Sequence, residues 1–225
     1  MPTQLALAVC IFPRVCPTDF QGPIELLSFL DPQAIVGLSD IFPTVPDVSV
    51  KAIFLGVTSE PVQGSSGPKF VPDRTYSDIK DGEQFDIILV PGGLGTRPGV
   101  LPEVVVDFVK KQAPGAKYVL SVCSGSEVLA RADILNGLRA TTNKSLFKVI
   151  TEDYKEKGIK WVPKARWVVD GKIWTASGVT AGADMGYAFL RHLAGDQFAN
   201  AARGIVEYSI RGQDDDEFAE FYGLV

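Results

Sequence analysis

The stretch Tyr118-Val119-Leu120-Ser121-Val122-Cys123-Ser124-Gly125-Ser126 reads as a buried strand that runs directly into a tight turn. Its first five residues are mostly apolar, β-branched or aromatic, as a strand covered on both faces requires. Glu127-Val128-Leu129-Ala130 then begins a helix, with Val128, Leu129 and Ala132 on one face. Cys123 is therefore expected at the carboxyl end of a strand and above a helix N-terminus. Unpaired N–H groups there favour thiolate, so a depressed thiol pKa is expected. Small residues at Ser124 and Gly125 permit the sharp turn, the mechanical logic of a G-x-S-x-G nucleophile elbow with cysteine as nucleophile. The plainer alternative is a buried cysteine acting as a small hydrophobe.

Working outward, strands and helices alternate. Residues 4–12 read as strand one and 13–21 as a loop, with Gly22-Pro23 opening a helix through Leu30. Residues 48–57 are the second strand, 64–68 a turn and 70–76 a short edge strand. Residues 85–90 are a strand ending in Pro91-Gly92-Gly93-Leu94-Gly95. Helices follow over 101–112 and 146–154. The hairpin 165–176 turns at Asp170-Gly171, and two last helices span 180–193 and 197–208. This alternation predicts one doubly wound, mostly parallel α/β sheet with helices on both faces, a single domain over 1–225. Function in such a sheet belongs at the carboxyl ends of its strands.

Two further features point to that edge. Gly92, Gly93 and Leu94 follow a buried strand, and their N–H groups, with that of Ser124, are candidates for an oxyanion-type site. A glycine-rich turn alone is weak evidence. Asp19, in Thr18-Asp19-Phe20-Gln21-Gly22-Pro23, is a candidate proton-transfer partner of Cys123; a turn-capping aspartate is the plain alternative.

Composition excludes several function classes. The chain has 225 residues, 46% hydrophobic, with a formal charge of −5, enough for a sizeable core and no basic face for nucleic acid or membrane. Cys10, Cys16 and Cys123 lack framework spacing, which with the absent leader points to free thiols in a reducing cytoplasm. The single histidine, His192, lies on a late helix, so a Cys-His-acid triad is doubtful. No metal-ligand spacing is present, and no metal is expected.

Val90-Pro91-Gly92-Gly93, the Ser121–Gly125 elbow and Leu138-Arg139-Ala140-Thr141-Thr142 resemble the ThiJ/PfpI superfamily, with its class I glutamine-amidotransferase-like, flavodoxin-type fold. Within it, Asp19-Phe20-Gln21-Gly22-Pro23, Ser177-Gly178-Val179-Thr180-Ala181-Gly182-Ala183-Asp184 and Glu207-Tyr208 resemble the isocyanide hydratase branch, whose loop aspartate faces the nucleophile. Ser124 stands where that branch usually has Thr, and Asn143 where many members have His. The peptidase-like branch has His directly after the cysteine. The deglycase and glyoxalase-type branch places a Glu on the first helix; here Leu27 aligns with it and Glu25 is nearby. Regulator members carry a helix-turn-helix domain after this one, whereas this chain continues into an acidic tail, 214–217. The resemblance implies a cofactor-free, homodimeric hydro-lyase: Cys123 attacks a small isocyanide, Asp19 moves protons, and a thioimidate is hydrolysed to an N-substituted formamide. The competing expectations are a redox-sensing module built on an oxidisable cysteine and a glyoxalase-like enzyme acting on small aldehydes.

Overall fold

The computed structural model describes residues 2–38, 40–42 and 44–225. Strand β1 (Thr3–Cys10) leads into α1 (Pro17–Leu27) and β2 (Val48–Gly56). A small excursion follows, β3 (Val62–Gln63), β4 (Lys69–Phe70) and β5 (Arg74–Thr75). Next come β6 (Ile87–Val90), α2 (Glu103–Gln112), β7 (Tyr118–Val122) and α3 (Gly125–Arg131). Then β8 (Arg139–Ala140), α4 (Phe147–Asp153), β9 (Lys160–Trp161), the hairpin β10 (Trp167–Asp170) and β11 (Ile173–Ala176), α5 (Val179–Ile205) and α6 (Phe218–Phe221).

Seven strands form one sheet in the order β10-β11-β7-β6-β1-β2-β5. Every neighbouring pair is parallel except the β10–β11 hairpin, and β6 lies beside β7 with Ile88 opposite Val119. This is the expected doubly wound sheet. From the centre, β1-α1-β2 steps toward one edge and β6-α2-β7 toward the other, so right-handed crossovers place α1 and α2 on opposite faces. Helix α5 packs on α1, and α3 packs on α2. The central strands are covered on both sides: Ile87, Ile88, Leu89 and Val90 are all fully buried.

Two expectations need correction. The first helix starts at Pro17, not at Gly22-Pro23, so Asp19 lies in a helical first turn rather than in a loop. Pro17 occupies the position where a missing N–H costs nothing. Pro23 lies inside the helix, where its ring removes only the bond to the Asp19 carbonyl. Nor is the acidic 214–217 run uniform: Asp214, Asp215 and Glu217 are exposed, whereas Asp216 is buried and paired with Lys144 at 3.1 Å. The break expected between the last two helices occurs at Gly195, whose φ of 80° interrupts α5.

Candidate functional site at the carboxyl edge of the sheet

The segments following β1, β6, β7 and β11 converge at the carboxyl edge on either side of the sheet's switch point. Cys123 sits between β7 and α3 with a φ of 59°, a left-handed conformation that strains a side-chain-bearing residue by about 1–3 kcal/mol. Three bonds hold it there. Its N–H donates to the Ala176 carbonyl at 3.1 Å, and its carbonyl accepts the Thr142 and Ser126 hydroxyls, each at 3.2 Å.

Asp19 approaches from α1 and is fully buried. Its Oδ2 accepts the Gly92 N–H at 2.9 Å, while its Oδ1 is buried with no well-formed hydrogen bond. Burial pushes the carboxyl up to about 6, against the opposing pull of the Cys16 thiol, the Gly92 N–H and the Cys123 thiol. Asp19 is therefore a carboxyl group poised near neutrality beside two thiols.

The glycine loop is what allows this approach. A Cβ at Gly92 would lie 2.6 Å from the Ser124 nitrogen and 2.9 Å from Asp19 Oδ2. Gly93 has a φ of 130°, and a Cβ there would meet the Cys16 nitrogen at 2.5 Å. Ser124 Oγ accepts the Gly93 N–H at 3.1 Å and the Thr96 hydroxyl at 2.9 Å, riveting the loop to the turn.

These bonds change the expected oxyanion site. The Gly92 and Gly93 N–H groups already serve Asp19 and Ser124, so they are scaffold rather than free donors. The Ser124 N–H remains at the Cys123 sulfur, where it favours the thiolate. Leu94 lies in an exposed turn with its side chain outside the buried cluster.

The thiol itself departs from expectation. Its pKa is not depressed but raised to about 12, first by burial and second by the charge of Asp19. The Ser124 N–H and the Asn143 side chain pull the other way and do not prevail. A turn pattern shows the helix start but not how dry the pocket is or which carboxylate shares it. Cys10 is buried in β1 and raised to about 12. Cys16 is partly accessible and raised to about 11 by burial and then by Asp19. His192 is exposed, with its Nε2 2.9 Å from the Tyr118 hydroxyl and far from the cluster in the fold.

Sequence reading missed the parts played by Asn143 and Asp216, whereas Cys16 was expected near Asp19. Asn143, seen only as a departure from histidine, is brought to the thiol; its Oδ1 accepts the Ser145 N–H at 3.0 Å, which orients the amide. Cys16 belongs to the Asp19 cluster. Asp216, hidden in an acidic run, anchors the segment that walls a cavity beside Asn143. No residue pattern signalled the last of these.

The chain matches the DJ-1/PfpI family over residues 9–192. It belongs to that family. Isonitrile hydratase of Pseudomonas putida is 32% identical over 206 residues, covering 91% of this chain and 79% of that protein. A deglycase of Pyrococcus horikoshii is 32% identical over 130 residues, covering 58% of this chain and 72% of the relative. The crystal structure of a ThiJ/PfpI family protein from Pseudomonas syringae superposes with a TM-score of 0.76 at 24% identity, over 94% of this chain and 78% of that one. The DJ-1/PfpI relatives thus include both hydratase and deglycase enzymes. Among the described residues, no helix is long and apolar enough to cross a membrane.

Proposed function

We propose that this DJ-1/PfpI protein hydrates an isocyanide to an N-substituted formamide through a thioimidate on Cys123. One observation carries the reading: a buried carboxyl, Asp19, lies beside the Cys123 thiol, with Gly92 between it and Ser124, and burial pushes it up to about 6. The near-full-length similarity to isonitrile hydratase supports the same chemistry.

Burial and then the Asp19 charge push the Cys123 thiol up to about 12, which favours a mechanism in which its proton leaves in step with attack. Sulfur bonds to the terminal isocyanide carbon while Asp19 takes the thiol proton and delivers it to that same carbon, giving R–N=CH–S–Cys123. Asp19, again a carboxylate, then takes a proton from water as the oxygen adds to the carbon and passes it to the nitrogen, giving R–NH–CH(OH)–S–Cys123. The adduct collapses as the hydroxyl proton passes through Asp19 to sulfur, the C=O bond forms and the C–S bond breaks. The product is R–NH–CHO, and the chain is unchanged.

Two observations weigh against the other readings. The glyoxalase-type branch needs a helix glutamate at the cysteine, yet Leu27 is core and Glu25 points to solvent. A redox sensor needs an exposed, low-pKa thiol, and Cys123 is neither.

The test is formamide formation from a simple isocyanide, followed by chromatography. Cys123→Ala should abolish it, and Asp19→Asn should lower kcat about a hundredfold or more. Wild-type activity should fall as pH drops through about 6, because the carboxylate must be free to accept the thiol proton. That limb should vanish in Asp19→Asn. Full activity in Asp19→Asn would sink the mechanism.

A further inference from the structure

Two segments meet at the reacting groups, and each carries one half of the chemistry. The loop after β6 is bonded to Asp19, whose Oδ2 accepts the Gly92 N–H at 2.9 Å, and to Cys16, whose N–H donates to the Gly92 carbonyl at 2.8 Å. The turn after β7 carries Cys123 and runs into α3. Near the site the two segments are joined at Ser124 Oγ, which accepts the Gly93 N–H and the Thr96 hydroxyl. Bonds that converge on one atom fix a distance and leave a pivot.

A second tie lies one residue beyond Thr96. Arg97 Nη1 donates to Glu127 Oε1 on α3 at 3.0 Å, and its Nη2 donates to Asp153 Oδ2 at the end of α4 at 3.3 Å. Its backbone is held too, because the Arg97 carbonyl accepts the Val100 and Leu101 N–H groups at 3.0 and 3.2 Å. The hydration steps use neither Arg97 nor Glu127.

We propose that Arg97 is a positioning residue: its fork to Glu127 and Asp153 removes the pivot at Ser124 and sets the distance over which Asp19 and Cys123 exchange a proton. The inference rests on that exchange, which the hydratase reading requires.

Burial makes this tie stiffer than a surface contact. The Glu127 side chain is fully buried, and Arg97, 32% exposed, reaches it from the loop. Glu127 Oε2 has no hydrogen-bond partner among the described residues, nor has Arg131 Nη1, one turn further along α3. Arg131 instead gives its Nη2 to Glu103 at 2.7 Å. Burial pushes the Glu127 carboxyl up; Arg97 opposes most strongly, Arg131 helps, and Asp153 adds to the rise. The Tyr154 hydroxyl is the remaining titrating neighbour. An exposed ion pair opens at little cost. Opening this one leaves a buried carboxylate without a partner. Arginine suits the task, because a planar guanidinium donates to two carboxylates on different elements at once, whereas a lysine ammonium is a point charge.

The layout predicts a selective effect. Asp19 and Cys16 both hang from Gly92, whereas Cys123 lies on the α3 side. Loosening the fork should therefore part Asp19 from Cys123 and leave Asp19 with Cys16.

The test is an alkylation cycle. The Asp19 charge raises both thiols, so Asp19→Asn should speed their reaction with iodoacetamide at pH 8, by about tenfold at Cys123. In an Arg97→Met background the gain at Cys123 should fall to about threefold or less, while the gain at Cys16 stays as in wild type. Peptide mass spectrometry reads both thiols in one sample, so Cys16 is the internal standard. With methyl isocyanide, Arg97→Met should lower kcat about tenfold or more and keep KM within about twofold, since a displacement of about 1 Å can cost a hundredfold. Arg97→Lys should recover part of both losses.

Arg97→Met combined with Glu127→Leu separates placement from stability. It removes the stranded charge and should restore the melting temperature, but not the fork, so coupling and kcat should stay low. Where Arg97→Met alone does not fold, this double variant and Arg97→Lys carry the comparison. The proposal is overturned by a wild-type gain at Cys123 in Arg97→Met, by an equal loss at both thiols, or by coupling that returns with stability in the double variant. Isocyanide turnover insensitive to Arg97→Met also overturns it and leaves the hydratase reading standing. A selective loss at Cys123 in a protein that turns over no isocyanide supports the placement and sinks the hydratase reading instead.

Discussion

Asp19 is held in a position that favours chemistry over stability. Its folded-state pKa is about 6 against an ordinary 3.8. A raised value means that folding favours the protonated form. That contribution is fully present below about 4 and is lost as pH rises through 6, so at neutral pH the buried carboxylate weakens the fold. Two pKa units correspond to about 3 kcal/mol. Asp19→Asn keeps an acceptor for the Gly92 N–H but leaves a buried amide donor to satisfy, which offsets part of the gain. The variant should be about 1–3 kcal/mol more stable than wild type in denaturant at pH 8, with the gain vanishing near pH 4. An equal difference at both pH values would show that charge burial is not the cause. The same charge raises both neighbouring thiols, so Asp19→Asn should shift the pH dependence of Cys16 and Cys123 alkylation to lower pH while leaving Cys10 unlabelled. Peptide mapping by mass spectrometry reads this out, and unchanged profiles would reject the coupling. The placement of Cys123 and Asp19 at one edge was legible in the sequence, because a strand-to-helix cysteine and a carboxyl after strand one both lie at strand carboxyl ends. Their protonation was not, since it depends on burial and on distances that spacing does not encode.

Among the elements, α5 decides how close the chain can pack behind the thiol. Gly182 faces Val122, the last residue of β7, and a Cβ there would lie 2.5 Å from Val122 Cγ1. Alanine is the better helix former by about 1 kcal/mol. Overpacking against a stiff, β-branched neighbour costs about 1–3 kcal/mol, so the clash wins. Gly182→Ala should therefore lower stability, and it should lower activity more than the stability loss explains, because Val122 carries Cys123. Adding Val122→Ala removes the methyl groups in the way. The double variant should lose less than the two single losses combined, as a denaturation cycle measures. Simple additivity would mean that the helix does not bear on β7. Element types were readable because β6 is a continuous apolar run, β7 is one broken only by Ser121, and Asp170-Gly171 is a strong hairpin signal. The start of α1 was not, because Pro17 and Pro23 both suit a helix opening and only packing chooses between them. The short β8–β9 pair has too few residues to carry a pattern.

At the scale of the molecule, the C-terminal segment is tied to the sheet by buried charge. Lys144 and Asp216 are 3% and 1% exposed at their side chains and 3.1 Å apart. Burial lowers the Lys144 pKa, and Asp216 opposes that shift through its charge and hydrogen bond. Position in an acidic run gave no hint of this, because Asp214, Asp215 and Asp216 look alike until the chain returns over α5. A buried pair of this kind is not itself strong evidence of stability, yet breaking one partner strands the other. Asp216→Ala should destabilise the protein by about 3–5 kcal/mol and release the start of α6, whose Phe218 N–H it accepts at 3.1 Å. Replacing both partners, Lys144→Met with Asp216→Leu, removes both charges and should recover most of that loss. Chemical denaturation of the single and double variants distinguishes the outcomes. If Asp216→Ala unfolds no more easily than wild type, the ion pair is dispensable. If the double variant recovers nothing, the loss comes from something other than the stranded charge.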